Sequence, residues 1–363
     1  MKKVQKVLVE ILGVLILIIT FISCTEEKSS LKKEEKTTIA SVDKTQKIVK
    51  KETLRKPVVF ITGIDKGSNT FYKNARDYYM EKQFEIVDNS FSIQEIIMWL
   101  NKNYDGNSYG EIHVVTQGNP WNGISLETTI HSGRTTNESL ENILAEGKLP
   151  KVEDVISANT NIVFHSCGLG KNKDLMKSLT DVFTTENTPN LIASPFYTIF
   201  GGKFSKHFLA TPYYVFYPTA KSPGKMDLSK EIAAKYPKEK DIDWFDALNN
   251  EEERYVGEAY TYQYNIPVNF ELDFTNSDNE VPVLKTQKEV INFIEENENL
   301  LKDMVKLEIP LEKYRWSTSV KNNSLIIKGK TTVLCVLKPI IKPFGDLQHL
   351  EPKIDNARLY ATF

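Results

Sequence analysis

From residue 57 onward the chain alternates short apolar strands with amphipathic helices, and this pattern constrains the fold most. VVFITG (Val58 to Gly63) is a continuous β-branched run, typical of a strand buried on both faces. GEIHVVTQG (Gly110 to Gly118) and NIVFHSCG (Asn161 to Gly168) have the same character, and helical segments such as IQEIIMWLNKN, capped by Ser92, lie between the strands. The alternation predicts an α/β domain whose mostly parallel sheet is flanked by helices.

The remaining elements are predicted from the same periodicities. They comprise a strand at Asn190 to Pro195, a sixth strand at Pro212 to Pro218, a helix beginning at Thr135 with a Thr135/Glu138 capping box, and helices over Trp244 to Tyr264 and Thr286 to Val305. Two strands, SLIIKG and TTVLCVLKPI, follow near the end of the chain, where a final RLYATF segment is expected to pair with them. We therefore expect an α/β domain over residues 57–275 and a small C-terminal α+β extension over residues 276–363.

The N-terminus has the composition of a targeting segment. Lys2, Lys3 and Lys6 precede the apolar run Ile11 to Ile22, which is too short for a comfortable transmembrane helix. The run ends at Ser23-Cys24 and resembles a bacterial lipoprotein signal. That resemblance implies a signal peptide over residues 1–23, cleavage before Cys24 and acylation of its thiol, with the protein held outside the cytoplasm on a membrane. The alternative is an uncleaved signal anchor with an incidental cysteine.

Residues 24–56 are rich in Lys, Glu, Ser and Thr and almost free of large apolar side chains. Such a segment cannot bury enough surface to offset the entropy lost on ordering, so it is predicted to be a disordered tether. A flexible chain of this length spans on the order of 30 Å. The folded part is therefore expected to stand off the membrane.

Composition excludes several functional classes. The net charge of −2 and the lack of a basic, aromatic-interleaved stripe argue against nucleic-acid binding. Three cysteines without a CxxC pair and five histidines without an HExxH motif give no disulfide framework and no metal site. Cys335, inside the apolar run VLCVL, is predicted to be a buried packing residue. We expect no metal and no cofactor.

Two of the predicted strands end in a polar residue followed by glycine: Gln117-Gly118 and Cys167-Gly168. Fifty positions separate Gln117 from Cys167, enough for a crossover that brings the two strand ends together. Residues 57–218 resemble the caspase-like (flavodoxin-like) fold of clan CD cysteine peptidases, which include caspases, gingipains and clostripain. The resemblance implies that Cys167 is the nucleophile and that the Gly118 and Cys167 N–H groups form an oxyanion site.

The chain departs from that family at the catalytic base. Gln117 stands where the resemblance places a histidine, and an amide neither accepts nor releases a proton near neutral pH. Cys167 is expected to be partly ionised, because a helix N-terminus follows it. His131 and His165 are candidate substitute bases, although His165 is two residues before Cys167 on a strand face that a helix should cover. Asp65, after the first strand, is a further candidate for the cleft.

Three functions remain open from the sequence. The favoured one is a degenerate caspase-like domain that binds a peptide or protein ligand with little or no peptidase activity. The second is an active cysteine endopeptidase in which Cys167 acts with a non-standard base. The third is a structural surface lipoprotein whose cleft has no role. The expected partners are a peptide in the cleft and a membrane through the lipid anchor.

Overall fold

The structure is a computed structural model that describes residues 55–67, 69–275, 280–340 and 351–363. The predicted signal peptide, Cys24 and nearly all of the predicted tether lie outside the described residues. The strands are β1 (Val58–Ile61), β2 (Glu85–Val87), β3 (Glu111–Val115), β4 (Gly118–Asn119), β5 (Gly123–Glu127), β6 (Arg134–Thr135), β7 (Asn161–His165), β8 (Asn190–Ala193), β9 (Tyr197–Phe200), β10 (His207–Pro218), β11 (Tyr260–Asp273), β12 (Arg315–Lys321), β13 (Ser324–Pro339) and β14 (Ala361–Thr362). The α-helices are α1 (Thr70–Glu81), α2 (Ile93–Lys102), α3 (Asn137–Ala145), α4 (Lys173–Phe183), α5 (Lys225–Lys235), α6 (Trp244–Ala247), α7 (Gln287–Glu296) and α8 (Glu298–Lys306).

A six-stranded sheet with the order β14-β8-β7-β3-β1-β2 forms the centre of the α/β part. Strands β2, β1, β3, β7 and β8 are parallel to their neighbours, and only β14 runs antiparallel, beside β8. When the five parallel strands are numbered in chain order, their order across the sheet is 2-1-3-4-5, which is one of the two common orders of doubly wound sheets. The predicted α/β class with a mostly parallel, helix-flanked sheet is confirmed.

Alternate residues of the parallel strands point to opposite faces of this sheet and form two separate core clusters. Phe60, Val114 and Phe164 pack with buried residues of α2 and α4 on one face. Val59 and Val115 pack with Tyr72, Ala75 and Tyr79 of α1 on the other face. Both faces are therefore covered, which explains the continuous apolar runs in the strands.

A second, antiparallel sheet has the order β11-β13-β10-β9, and β12 also pairs with β13. The long strand β13 joins the two predicted strands SLIIKG and TTVLCVLKPI in one element. It pairs with β10, so PYYVFYP belongs to this sheet and is not a sixth strand of the parallel sheet. Because β13 also pairs with β11, residues 276–363 do not form a sheet of their own.

In the C-terminal half, two predicted helices were wrong in extent and one predicted strand was wrong in its pairing partner. The helix predicted over Trp244 to Tyr264 ends at Ala247, and β11 begins at Tyr260. Thr286 to Val305 is two helices, because the Asn297 side chain caps a new helix there by accepting the Leu300 N–H. The final segment pairs with β8 of the parallel sheet and not with β13.

The predicted capping box at Thr135 is shifted by one residue. Thr136 is the N-cap of α3: its side chain accepts the Ser139 N–H, and its own backbone N–H donates to the Ser139 hydroxyl at 2.9 Å. Thr135 lies instead in β6, where its hydroxyl donates to Leu126 O at 2.7 Å. Within the described ranges no helix is long and apolar enough to cross a membrane.

Candidate functional site: the Cys167 cleft

Gln117, Gly118 and Cys167 line one cavity of about 640 Å³. Gln117 follows β3 and Cys167 follows β7, and these strands are parallel neighbours. Their carboxyl ends lie at one edge of the sheet, where doubly wound folds place their ligands. The structure therefore brings together the two strand ends that the sequence singled out. We call this cavity the Cys167 cleft.

The surroundings of Cys167 keep its thiol neutral. Its side chain packs against an apolar and aromatic cluster that includes Tyr197, Tyr260 and Cys335, and the Sγ–H donates to Thr198 O at 3.7 Å. Burial raises the pKa of the Cys167 thiol to about 12. This differs from the predicted partial ionisation, because burial disfavours the thiolate; in addition, a 3₁₀ turn separates Cys167 from α4, whose N-terminus the Asn172 side chain caps.

Two tyrosines hold Gln117 in place, one through its backbone and one through its side chain. Its backbone N–H donates to the Tyr72 hydroxyl at 3.0 Å, and that hydroxyl donates to Asp65 Oδ1 at 2.6 Å. Its side-chain Oε1 accepts a hydrogen bond from the Tyr262 hydroxyl at 3.2 Å. Asp65 therefore acts through Tyr72 and is not part of the cavity wall as described. The Gln117 Nε2 group makes no hydrogen bond within the described part of the chain.

Two backbone N–H groups in the cleft also lack partners. Ser125 N donates to Gln117 O at 2.7 Å, so in the β4–β5 pairing Gly118 faces Ile124 without exchanging hydrogen bonds. The Gly118 N–H consequently points away from β5. Neither this group nor the Cys167 N–H donates to any acceptor among the described residues. Both groups predicted for the oxyanion site are free to bind a ligand oxygen.

The outer edge of β9 forms another wall of the cleft. Thr198 O accepts the Cys167 Sγ–H, and Phe200 O accepts the Asn74 Nδ2–H at 3.1 Å. Both carbonyls therefore point away from β10, the strand that pairs with β9 on its other side. Because N–H and C=O groups of one residue point the same way in an antiparallel ladder, the Thr198 N–H also faces outward.

The four described histidines all lie outside the cleft wall. His113, His165 and His207 line a separate cavity of about 1050 Å³, and His165 and His207 are almost completely buried there. Tyr79 Oη lies 2.7 Å from His165 Nε2 and 3.2 Å from His113 Nδ1. His131 sits in an exposed loop with φ of 66°. Neither candidate substitute base, His131 or His165, reaches the thiol.

Charged residues of both signs line the cleft, and all of them except the buried Glu253 are exposed. Glu251, Glu252 and Glu253 line it together with Lys203 and Arg254. Arg254 forms ion pairs with Asp246 and Glu258. Lys203 lies 5.8 Å from the centre of the Tyr255 ring and 5.9 Å from that of Phe204. The rim therefore has no single sign that would select a ligand by charge alone.

Trp121 is a packing residue outside the described cleft wall. Its indole Nε1 donates to Leu307 O at 2.7 Å, and its ring contacts Tyr214 and Phe216 edge to face. Cys335 is completely buried in β13, which confirms its predicted packing role.

Sequence reasoning missed Thr198 and Tyr262, the residues of the second sheet that form hydrogen bonds with Cys167 and Gln117. Tyr262 fell inside a predicted helix, although Tyr260, Tyr262 and Tyr264 recur with a period of two, which indicates a strand. Thr198 follows a Ser-Pro turn and carries no local signal. Both reach the site only because the antiparallel sheet packs against the end of the parallel one.

No protein-family model, no curated protein and no solved structure matches this chain. In the described part of the chain no group of three or more His, Cys, Asp or Glu side chains is arranged to hold a metal ion. The function has to be argued from the cleft.

Proposed function

We propose that this protein binds an extended peptide in the Cys167 cleft and hydrolyses it poorly or not at all. The observation that carries the proposal is the pairing of Cys167 with Gln117 in one cavity whose described wall contains no histidine. Burial keeps the thiol protonated, and the amide cannot take its proton or supply one to a leaving amine. Under this proposal the cleft is a peptidase-like site without its acid–base group.

The order of the parallel strands supports a caspase-like, flavodoxin-like assignment for the α/β part. In the order 2-1-3-4-5, the residues after β3 and β7 meet at the edge of the sheet, as the resemblance of Gln117-Gly118 and Cys167-Gly168 to the clan CD motifs implies. Under this proposal the domain is a member of that fold that has lost its general base.

The outer edge of β9 supports an extended peptide as the ligand. Thr198 presents an outward backbone N–H, its C=O being taken by the Cys167 Sγ–H, and an added strand can accept a main-chain hydrogen bond from that N–H. Main-chain pairing gives affinity that depends little on the ligand's sequence. The proposal also places the protein outside the cytoplasm, held on a membrane through acylated Cys24.

The binding test uses the full chain and a random hexapeptide library, with retained peptides identified by mass spectrometry. We expect retention by the wild type and equal retention by Cys167→Ala, because binding needs no thiolate. Thr198→Pro should lose most retention, since it removes the outward N–H without breaking a bond to β10.

Thr198→Val is the matched control for that variant. It keeps the backbone N–H and removes only a hydroxyl that is buried without a partner. Retention by Thr198→Val with loss in Thr198→Pro supports pairing at the β9 edge. Absence of any retained peptide in the wild type contradicts the proposed function.

A further inference from the structure

Three N–H donors without partners lie in the wall of the Cys167 cleft. They are the Gln117 Nε2 group, the Gly118 N–H and the Cys167 N–H, and none donates to an acceptor among the described residues. A buried or half-buried donor left unpaired costs free energy that a ligand acceptor recovers. These three groups can therefore donate hydrogen bonds to an oxygen atom of a ligand.

The orientation of the Gln117 amide decides which end of it faces the ligand. The side-chain Oε1 accepts a hydrogen bond from the Tyr262 hydroxyl, and the backbone N–H of Gln117 donates to the Tyr72 hydroxyl. The Nε2 group, with two N–H bonds, is the part of the side chain left for a ligand. A histidine at this position would alternate between donor and acceptor, whereas this amide presents donors alone.

We propose that the cleft captures the C-terminal carboxylate of a peptide, so that its ligand resembles the product of a peptidase and not the substrate. This inference rests on the proposed function and names its ligand class. A carboxylate has two oxygens and about four lone-pair positions, which three N–H donors can occupy. Hydrogen bonds to an ionised acceptor are roughly twice as strong as neutral ones, so an acid should bind better than the amide of the same peptide.

The neutral thiol is compatible with this ligand. A thiolate beside the three donors would occupy them and repel a second anion, but burial raises the pKa of Cys167 to about 12. The Cys167 Sγ–H instead donates to Thr198 O.

The experiment compares two libraries of random hexapeptides that differ only at the C-terminus, one with a free carboxylate and one with a carboxamide. We expect the full-length wild type to bind the acids at least about tenfold more tightly than the matching amides, as charge-assisted hydrogen bonds predict. Gln117→Glu should remove this preference, since it replaces the donor with a second carboxylate.

Gln263→Glu is the matched control, because it adds the same charge on exposed β11 outside the described cleft wall. It should keep the preference for acids. If Gln117→Glu does not fold, Tyr262→Phe provides the same test, since it frees the amide to turn and should lower the acid-to-amide ratio several-fold.

The outcomes separate this inference from the proposed function. Equal binding of acids and amides by the wild type overturns the inference and leaves peptide binding at the β9 edge standing. An acid preference that survives in Gln117→Glu also overturns it. Failure of both libraries to bind overturns the inference and the proposed function together.

Discussion

The reactivity of Cys167 follows from the groups that surround its sulphur. A catalytic thiol needs a positive partner or a helix N-terminus to stabilise its thiolate. Here the Sγ atom packs among tyrosines and its hydrogen is held by Thr198 O, so the neutral form is favoured. This is why Cys167 in the structure differs from the expectation based on its place before α4.

We predict slow alkylation of Cys167 by iodoacetamide at neutral pH. Only the thiolate reacts, so the rate should rise about tenfold per pH unit from about pH 7 to pH 10, without a plateau. The measurement is the rate of labelling at Cys167, followed by peptide mass spectrometry, with glutathione as a reference thiol. Fast labelling with a plateau below pH 7 would contradict the assigned protonation state.

The stability of the fold should decrease in mild acid because of its buried histidines. Burial lowers the pKa of His207 to about 3 and holds that of His165 well below its usual range. The unfolded chain binds more protons below pH 6.5, so stability is lost as the pH falls from about 6.5 toward 3, by a few kcal/mol in total. Urea unfolding between these pH values measures the loss.

His207→Phe provides the control for this prediction. The His207 ring stacks on Phe200 with 4.5 Å between ring centres, and both its ring nitrogens are buried without partners. A phenyl ring therefore keeps the packing and loses no hydrogen bond. The variant should lose less stability in acid than the wild type; an identical pH profile would show that His207 does not cause the decrease.

At the scale of elements, the cleft depends on the close approach of β4 to the turn after β7. A Cβ atom placed on Gly118 would lie 2.2 Å from Ser166 Oγ and 3.1 Å from Gly123 O. The Ser166 hydroxyl is buried without a partner. Glycine at position 118 thus serves packing as well as the expected oxyanion role.

We predict that Gly118→Ala destabilises the protein by about 1–3 kcal/mol through overpacking. Ser166→Ala should change stability little, because the hydroxyl it removes makes no hydrogen bond. Combining the two should recover most of the loss, which chemical denaturation of the four proteins would show as a coupling energy. Additive effects in this cycle would mean that the clash is not between these two residues.

Local sequence signals predicted the parallel sheet but not the antiparallel one. The run at Val58 is fully apolar, those around His113 and Val163 are largely apolar, and helical periodicity flanks all three, so strand type and order along the chain could be inferred. Strand β11 alternates exposed with buried or half-buried residues only from Tyr264 to Asp273, and its partner β13 begins more than fifty residues after β11 ends. Such a pairing has no local signature, because register is set by the sheet as a whole.

The candidate site was predictable only where it lies on the parallel strands. Gln117, Gly118 and Cys167 each follow a strand, and topology alone brings adjacent strand ends together. Tyr262 and Thr198 come from another sheet, and the pKa of Cys167 depends on side chains supplied by β9, β11 and β13. The sequence therefore indicates where the cleft lies, but it does not reveal the protonation state of the Cys167 thiol.

At the scale of the whole molecule, the proposed anchor can be tested separately from the cleft. If Cys24 is acylated, the wild type should sediment with membranes and Cys24→Ala should not, since the acyl chains provide the attachment. Cell fractionation followed by immunoblotting measures this, with Cys167→Ala as the matched control. A Cys24→Ala protein that stays in the membrane fraction would instead support an uncleaved signal anchor.

The central claim, binding without efficient cleavage, is tested most directly by product analysis. The full chain, Cys167→Ala and Gln117→His would each be incubated with the hexapeptide library at neutral pH and read by mass spectrometry. We predict that wild type and Cys167→Ala leave the peptides equally intact, while any cleavage appears in Gln117→His, because a general base is worth about 10²–10⁴-fold. Cleavage by the wild type that disappears in Cys167→Ala would contradict the account.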